Sequence, residues 1–342
     1  MSSLPESLKL EGISPRAFEH PADRAATAAL RSVPMLDTVV RKLVELQYER
    51  ALRQELLAGS VKLGPDQLPG VWAEYLRGLT VLDMPEVYDL YVTQNAWVNA
   101  FTIGATTPMI LLNSGLEQVF EADEARTVLA HELGHVLSDH VLYRTALEIL
   151  MRIGTSIRVP VLSGLPLMAV RAALLEWYRA AELSCDRAAT LVNRDPLVTC
   201  RTLMVIAGGL PSERLNLDAF IKQANEYREW DSSLDRIRRF FTEANLTHAY
   251  PVRRVSEIIG WVQSGEYDRI VAGEYQRRGD EQPDARAEAG DAVDFYVERF
   301  RTIFSEASDT VTSAGDQVAG AGGRLAEWLR GTGTDTGTRG GG

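Results

Sequence analysis

The 342-residue sequence predicts an α+β fold, predominantly helical, with a small antiparallel sheet ahead of a long helix. Three observations carry that prediction. Apolar residues recur at helical spacing through most of the chain. Residues 81–112 switch to short β-rich runs parted by turn formers. Residues 121–150 then return to a helical stripe behind a cluster of acids. Composition is that of an ordinary globular chain, 45% hydrophobic and 24% charged.

Residues 15–76 read as helices, with Leu36, Val39, Val40, Leu43, Val44 and Leu46 on one broad apolar face. Between Val81 and Leu112, the runs VYDLYV (87–92), AWVNAF (96–101) and PMILL (108–112) alternate with Asp, Asn, Gly and Pro, as strands and turns do. In the helix expected over 121–150, Glu121, Asp123 and Glu124 sit where the helix dipole favours acids. Val128, Leu129, Leu133, Val136 and Leu137 supply its apolar stripe. A second helix is expected from Met168 to Val192, and more follow to about residue 275. The uncharged run at 159–170 is too short for a bilayer span, which needs about 20 residues. With Pro160, Gly164 and Pro166 it reads as a buried loop or core segment, with a shallow membrane-surface contact as the alternative. Beyond Gly279 the chain turns polar and then Gly-rich, around an amphipathic helix expected at 293–307.

The net charge of −11 makes nucleic acid an unfavourable partner. Cys185 and Cys200 are the only cysteines, a number that suits a reducing compartment. The N-terminus lacks a basic start followed by an apolar run, so no secretory leader is expected. A cytoplasmic location follows, peripheral to a membrane if 159–170 makes contact.

The segment HELGH places His131 and His135 four residues apart, so on a helix both imidazoles share a face and can converge on one ion. Glu132 follows the first of them, where its carboxylate can reach water beside the metal rather than the metal itself. This is the metalloprotease pattern, with Glu132 as general base. With five His and 47 acidic residues, chance alone makes it about once in a hundred such chains, so its context counts. Gly134 costs about 1 kcal/mol relative to Ala in mid-helix, which predicts close approach by another element. A catalytic zinc takes three protein ligands. A continuation with a third histidine six residues on fails, because Ser138 and Val141 stand where Gly and His are required. His140 falls on another face of the helix. Glu182, in RAAELSCDRAA (179–189), is the best candidate third ligand, on an Ala-rich helix that permits close packing. Asp186 lies one turn on, where it can accept a hydrogen bond from the far nitrogen of a ligating histidine. Cys185 reads as a small buried filler.

In order, NAFTIG (99–104), ILLNSGL (110–116), HELGHVLSDH (131–140) and AELSCDRAA (181–189) resemble the HtpX-like and CAAX prenyl protease-like zinc metallopeptidases. THAYPVRRVSEI (247–258) is similar to that family's His-Pro…Arg signature, and the resemblance spans about residues 70 to 265. It implies a zincin-like catalytic domain of the gluzincin type, one Zn2+ per chain, Glu182 as third ligand and Glu132 as base. It further implies that Asn99 lies on or near an edge strand that holds substrate by strand addition, and that His248 and Arg254 face the metal site and stabilise the oxyanion, His248 as a catalytic and Arg254 as a substrate-binding residue. Two features depart from the family: Ala249 rather than Pro follows His248, and no transmembrane helix is readable. A soluble or peripheral member is expected, and membrane-embedded substrates do not transfer with the fold.

The expected organisation is a helical support region at 1–76, a zinc metallopeptidase domain at 77–278 and an acidic, Gly-rich, partly disordered appendage at 279–342. The expected activity is endopeptidase cleavage of polypeptides. The alternative is a zinc-stabilised chaperone-like or protein-binding module, against which Glu132 counts, because a structural site needs no general base.

Overall fold

The computed structural model describes residues 8–45, 48–104, 106–153, 161–162, 165–229, 249–280 and 285–312. Helices α1 (Pro21–Ser32), α2 (Leu36–Glu45) and α3 (Tyr48–Gly59) open the chain, followed by strand β1 (Val61–Lys62) and helix α4 (Pro69–Val81). Strands β2 (Asp89–Thr93), β3 (Ala100–Ile103) and β4 (Met109–Asn113) lead into α5 (Ala122–Leu137) and α6 (Val141–Ile153). The two-residue strands β5 (Val161–Leu162) and β6 (Leu165–Pro166) pair just before α7 (Leu167–Asn193). Helices α8 (Pro196–Gly208), α9 (Leu217–Glu229), α10 (Pro251–Gln263), α11 (Glu266–Val271) and α12 (Ala285–Thr312) complete the described elements. The described residues of the apolar run at 159–170 thus supply this short strand pair and the first turn of α7.

The four-stranded sheet has the order β1-β2-β4-β3 and is mixed rather than antiparallel throughout. β3 and β4 form an antiparallel pair, but β2 runs parallel to β4, with Asp89 opposite Met109 and Thr93 opposite Asn113. Residues 94–99 carry the chain past the place of one strand, and the β3–β4 hairpin folds back so that β4 fills it. β3 is left at the sheet edge, beside α5 and α6.

The helix expected over 121–150 is two helices. A reciprocal Glu121–Glu124 capping box starts α5. Its end comes at Ser138, after which Asp139 takes a left-handed conformation (φ 58°) and His140 N–H donates to His135 O at 3.0 Å. This reversal sends α6 back past the end of α5.

Two apolar clusters flank the motif helix. One joins α1, α2, α6, the first half of α7 and α12; the other joins α4, β2, β4, α5, the second half of α7, α8, α10 and α11. Within the C-terminal stretch, Val293, Val297, Phe300 and Phe304 of α12 are buried, and the helix packs on α1 and α7. The Gly-rich end, residues 313–342, lies outside the described residues. α5 and α7 cross at Gly134: a Cβ added there would lie 3.1 Å from Cys185 Cα and 3.1 Å from Ala188 Cβ. Close approach therefore accounts for the mid-helix glycine.

Gly134→Ala is accordingly expected to destabilise the protein by about 1–3 kcal/mol through overpacking. On an open helix face the same change would stabilise by about 1 kcal/mol. The midpoint and slope of urea unfolding distinguish the two signs.

Candidate active site and metal centre

The α5–α7 crossing brings the motif and the later carboxylates together. His135 Nε2 lies 3.1 Å from Glu182 Oε1, and His131 Nε2 lies 3.5 Å from Glu182 Oε2. The same nitrogen of each ring therefore faces one carboxylate. The rings sit nearly edge to face, their centroids 5.0 Å apart. His131 Nδ1 is 3.0 Å from Asp186 Oδ1, and His135 Nδ1 is 3.2 Å from His140 Nδ1. Each imidazole is held on its far side while Nε2 is aimed at Glu182. His135 and Glu182 are fully buried, and His131 and Asp186 nearly so.

Burial pushes both imidazoles down, but Glu182 and Asp186 overcome this at His131 and hold it up at about 9. At His135 the Arg144 guanidinium adds to burial, and that ring is pushed well below its usual range. Burial raises the Asp186 carboxyl, yet Arg254 more than offsets it and holds the group below the usual carboxylate range.

Glu132 lines the same cleft but is held by other elements. Its Oε2 accepts from Thr102 Oγ1 of β3 at 2.7 Å and from Arg144 Nη1 of α6 at 2.7 Å. Arg144 lies over the Tyr178 ring, 5.2 Å from its centroid, and that ring stacks on His135. Thr102, Arg144 and Tyr178 escaped the sequence reading. Only Thr102 left a signal there, since strand alternation from Ala100 turns it inward; Arg144 reaches Glu132 only because the chain reverses at Asp139.

A cleft of about 780 Å³ opens onto His131, Glu132, Glu182 and Asp186. β3 forms one wall, and Asn99, exposed just before that strand, stands at the rim. The Asn99 carbonyl accepts from Asn113 N–H at 3.0 Å. Arg254 of α10 is buried beneath the site. It donates to Asp186 at 2.7 and 2.5 Å, and its Nη1 lies 3.3 Å from Glu182 Oε2. Its donors are thus engaged with carboxylates rather than presented freely to the cleft. His248 lies outside the described residues. Cys185 Sγ comes near both histidines, close enough to make a His131–His135–Cys185 set, but its contact is with His140 Nδ1 at 3.8 Å. The Nε2 atoms face Glu182, so the carboxylate fits the third position better.

Two buried imidazoles, a facing carboxylate and a separately held glutamate above a cleft define the donor set of a metal-dependent hydrolase. Residues 67–262 match peptidase family M48, and the chain belongs to that family. It is 36% identical over 259 residues to the plastoglobule-localized metallopeptidase 48, chloroplastic, of Arabidopsis thaliana, covering 74% of each chain. It is also 34% identical over 85 residues to a protease HtpX homolog of Tropheryma whipplei, covering 24% of this chain and 28% of that one. Comparison with solved structures gave no match. The protein is a metalloprotease of the HtpX-like kind. Among the described residues no helix is long and apolar enough to cross a membrane.

Arg254→Met is expected to cost about 3–5 kcal/mol, because it leaves the buried Asp186 carboxylate without its main partner. Guanidinium unfolding of the metal-free protein measures this. A loss below about 1 kcal/mol, the level of an exposed pair, would show that water compensates Asp186.

Proposed function

We propose that the protein is a zinc-dependent endopeptidase in which His131, His135 and Glu182 hold the metal and Glu132 is the general base. The observation that carries this reading is the pair of Nε2 to Glu182 separations, 3.5 and 3.1 Å. A tetrahedral zinc with bonds of about 2.0–2.1 Å sets neighbouring donors about 3.3–3.4 Å apart. Each Nε2 faces one oxygen of the same carboxylate at close to that separation, which supports the reading, and N, N, O is the donor set of a zinc hydrolase.

Zinc supplies Lewis acidity towards a carbonyl oxygen and makes water acidic near neutral pH. The chain's own residues do the rest. Glu132 takes a proton from the attacking water and passes it to the leaving amine. Thr102 and Arg144 hold one oxygen of its carboxylate, and the residue lines the cleft. Asp186 holds the His131 ring, and Arg254 holds Asp186. β3 offers an edge on which a substrate backbone can add as a further strand, with Asn99 at its start. His248 is assigned to the oxyanion by the family resemblance alone. Arg254 serves substrate only indirectly, through the carboxylates it engages.

The substrate is an unfolded or extended polypeptide segment, because strand addition needs free backbone. The acidic surface disfavours nucleic acid. Buried, unpaired Cys185 and Cys200 support a reducing compartment such as the cytoplasm, whether or not residues 159–170 touch a membrane.

Metal analysis with a peptide-library cleavage assay tests the reading. Wild type and Glu132→Gln are each expected to carry one zinc, with cleavage lowered about 10²–10⁴-fold in the variant. Chelation should abolish wild-type cleavage and added zinc restore it. Purified wild type devoid of zinc, or Glu182→Ala with undiminished zinc affinity, contradicts the ligand set. Zinc without cleavage of any peptide favours a binding module.

A further inference from the structure

The metal-site histidines are not backed alike. His131 leans directly on Asp186, but behind His135 stands a second imidazole, His140, Nδ1 to Nδ1 at 3.2 Å. His140 Nε2 in turn lies 3.2 Å from Asp23 Oδ2 of α1. The Asp23 carboxylate also accepts from Ser184 Oγ at 2.5 Å and from Thr27 Oγ1 at 3.2 Å. Asp23, His140 and Ser184 are almost wholly buried. Trp177 meets the His140 ring edge to face, 5.4 Å between centroids, and fixes its plane.

Resting on the zinc-peptidase reading, we infer that His140 and Asp23 are positioning residues for His135, so that helix α1 is part of the metal centre. The proton inventory requires a single arrangement. An imidazole that ligates through Nε2 carries its proton on Nδ1 and needs an acceptor there. His140 Nδ1 is that acceptor only when the His140 proton sits on Nε2, and Asp23 holds it there. Donation therefore runs in one direction, from His135 to His140 to Asp23, and ends on an ionised carboxylate with two hydroxyls also bound. His131 achieves the same with one carboxylate, and the His135 side uses an imidazole as a spacer.

The backbone is shaped for this contact. On an unbroken helix His140 would lie about 140° around the axis from His135. The left-handed Asp139 ends α5 and brings the ring behind its neighbour instead. Asp23 comes from outside the segment that matches the family, residues 67–262. The helix that sequence reads as mere support thus supplies the terminal carboxylate of the relay.

The test uses the full-length chain, with zinc affinity from chelator competition, unfolding of the metal-free protein, and kcat and KM at saturating zinc. Asp23→Asn is expected to weaken zinc binding about 10–100-fold, while metal-free unfolding and the KM for peptide stay near wild type. His140→Leu should weaken zinc binding as much but also destabilise the metal-free protein, because it strands the buried Asp23 carboxylate. His140→Asn, whose Oδ1 can take the place of Nδ1 as acceptor, should recover part of the loss, which a merely structural role would not predict. If His140→Leu fails to fold, Asp23→Asn, nearly equal in shape to the original, decides alone. Wild-type zinc affinity in Asp23→Asn overturns the relay and leaves the peptidase reading standing. A wild-type chain that binds no zinc overturns both.

Discussion

The approach of α5 to α7 at Gly134 sets the geometry of everything around the proposed metal centre. A helix that presents Gly134 to Cys185 and Ala188 can lie against its neighbour at backbone contact, with no side chain between them. Only at that distance do the short side chains on either side meet: His135 and Glu182 above the crossing, His131 and Asp186 beside it. A wider crossing would pull the Nε2 atoms from the carboxylate by the thickness of the inserted group. The Ala-rich character of α7 around Ala180, Ala181, Ala188 and Ala189 follows from the same demand.

Close packing creates an electrostatic problem, which the surrounding elements answer. Glu132, Glu182, Asp186 and Asp23 are buried together, and unpaired carboxylates in such a place are costly. Each meets a cationic or hydrogen-bonding group: Glu132 meets Arg144 of α6, Glu182 meets Arg254 of α10, Asp186 meets Arg254 and His131 of α5, and Asp23 meets His140 with Ser184. These charges lie between the two apolar clusters and tie together elements that would otherwise belong to separate cores. The fold and the site are thus mutually dependent, because removing a cation both frees a side chain of the site and strands a buried anion.

How much of this was legible depended on how local each signal was. The motif helix announces itself through spacing, and Glu182 with Asp186 through residue type on a second strong helix. The mixed sheet was not legible, because parallel pairing of β2 with β4 is a long-range choice that alternation alone does not encode. The break at Ser138–His140 was equally hidden. The apolar stripe continues across it, and an aspartate in the left-handed region is a weak mark. Missing that break concealed Arg144 and His140, since both reach the site only after the chain has turned. Asp23 carried no signal at all, being one acid on an amphipathic helix more than a hundred residues from its partner.

Helix α12 lies across α1, with Phe300 and Phe304 wholly enclosed in the cluster they share. Trp177, whose ring meets His140 edge to face, belongs to the same cluster, so the packing of α12 and α1 continues to the imidazole behind His135. The packing behind His135 thus draws on residues near 300, far along the chain from any group placed in the chemistry.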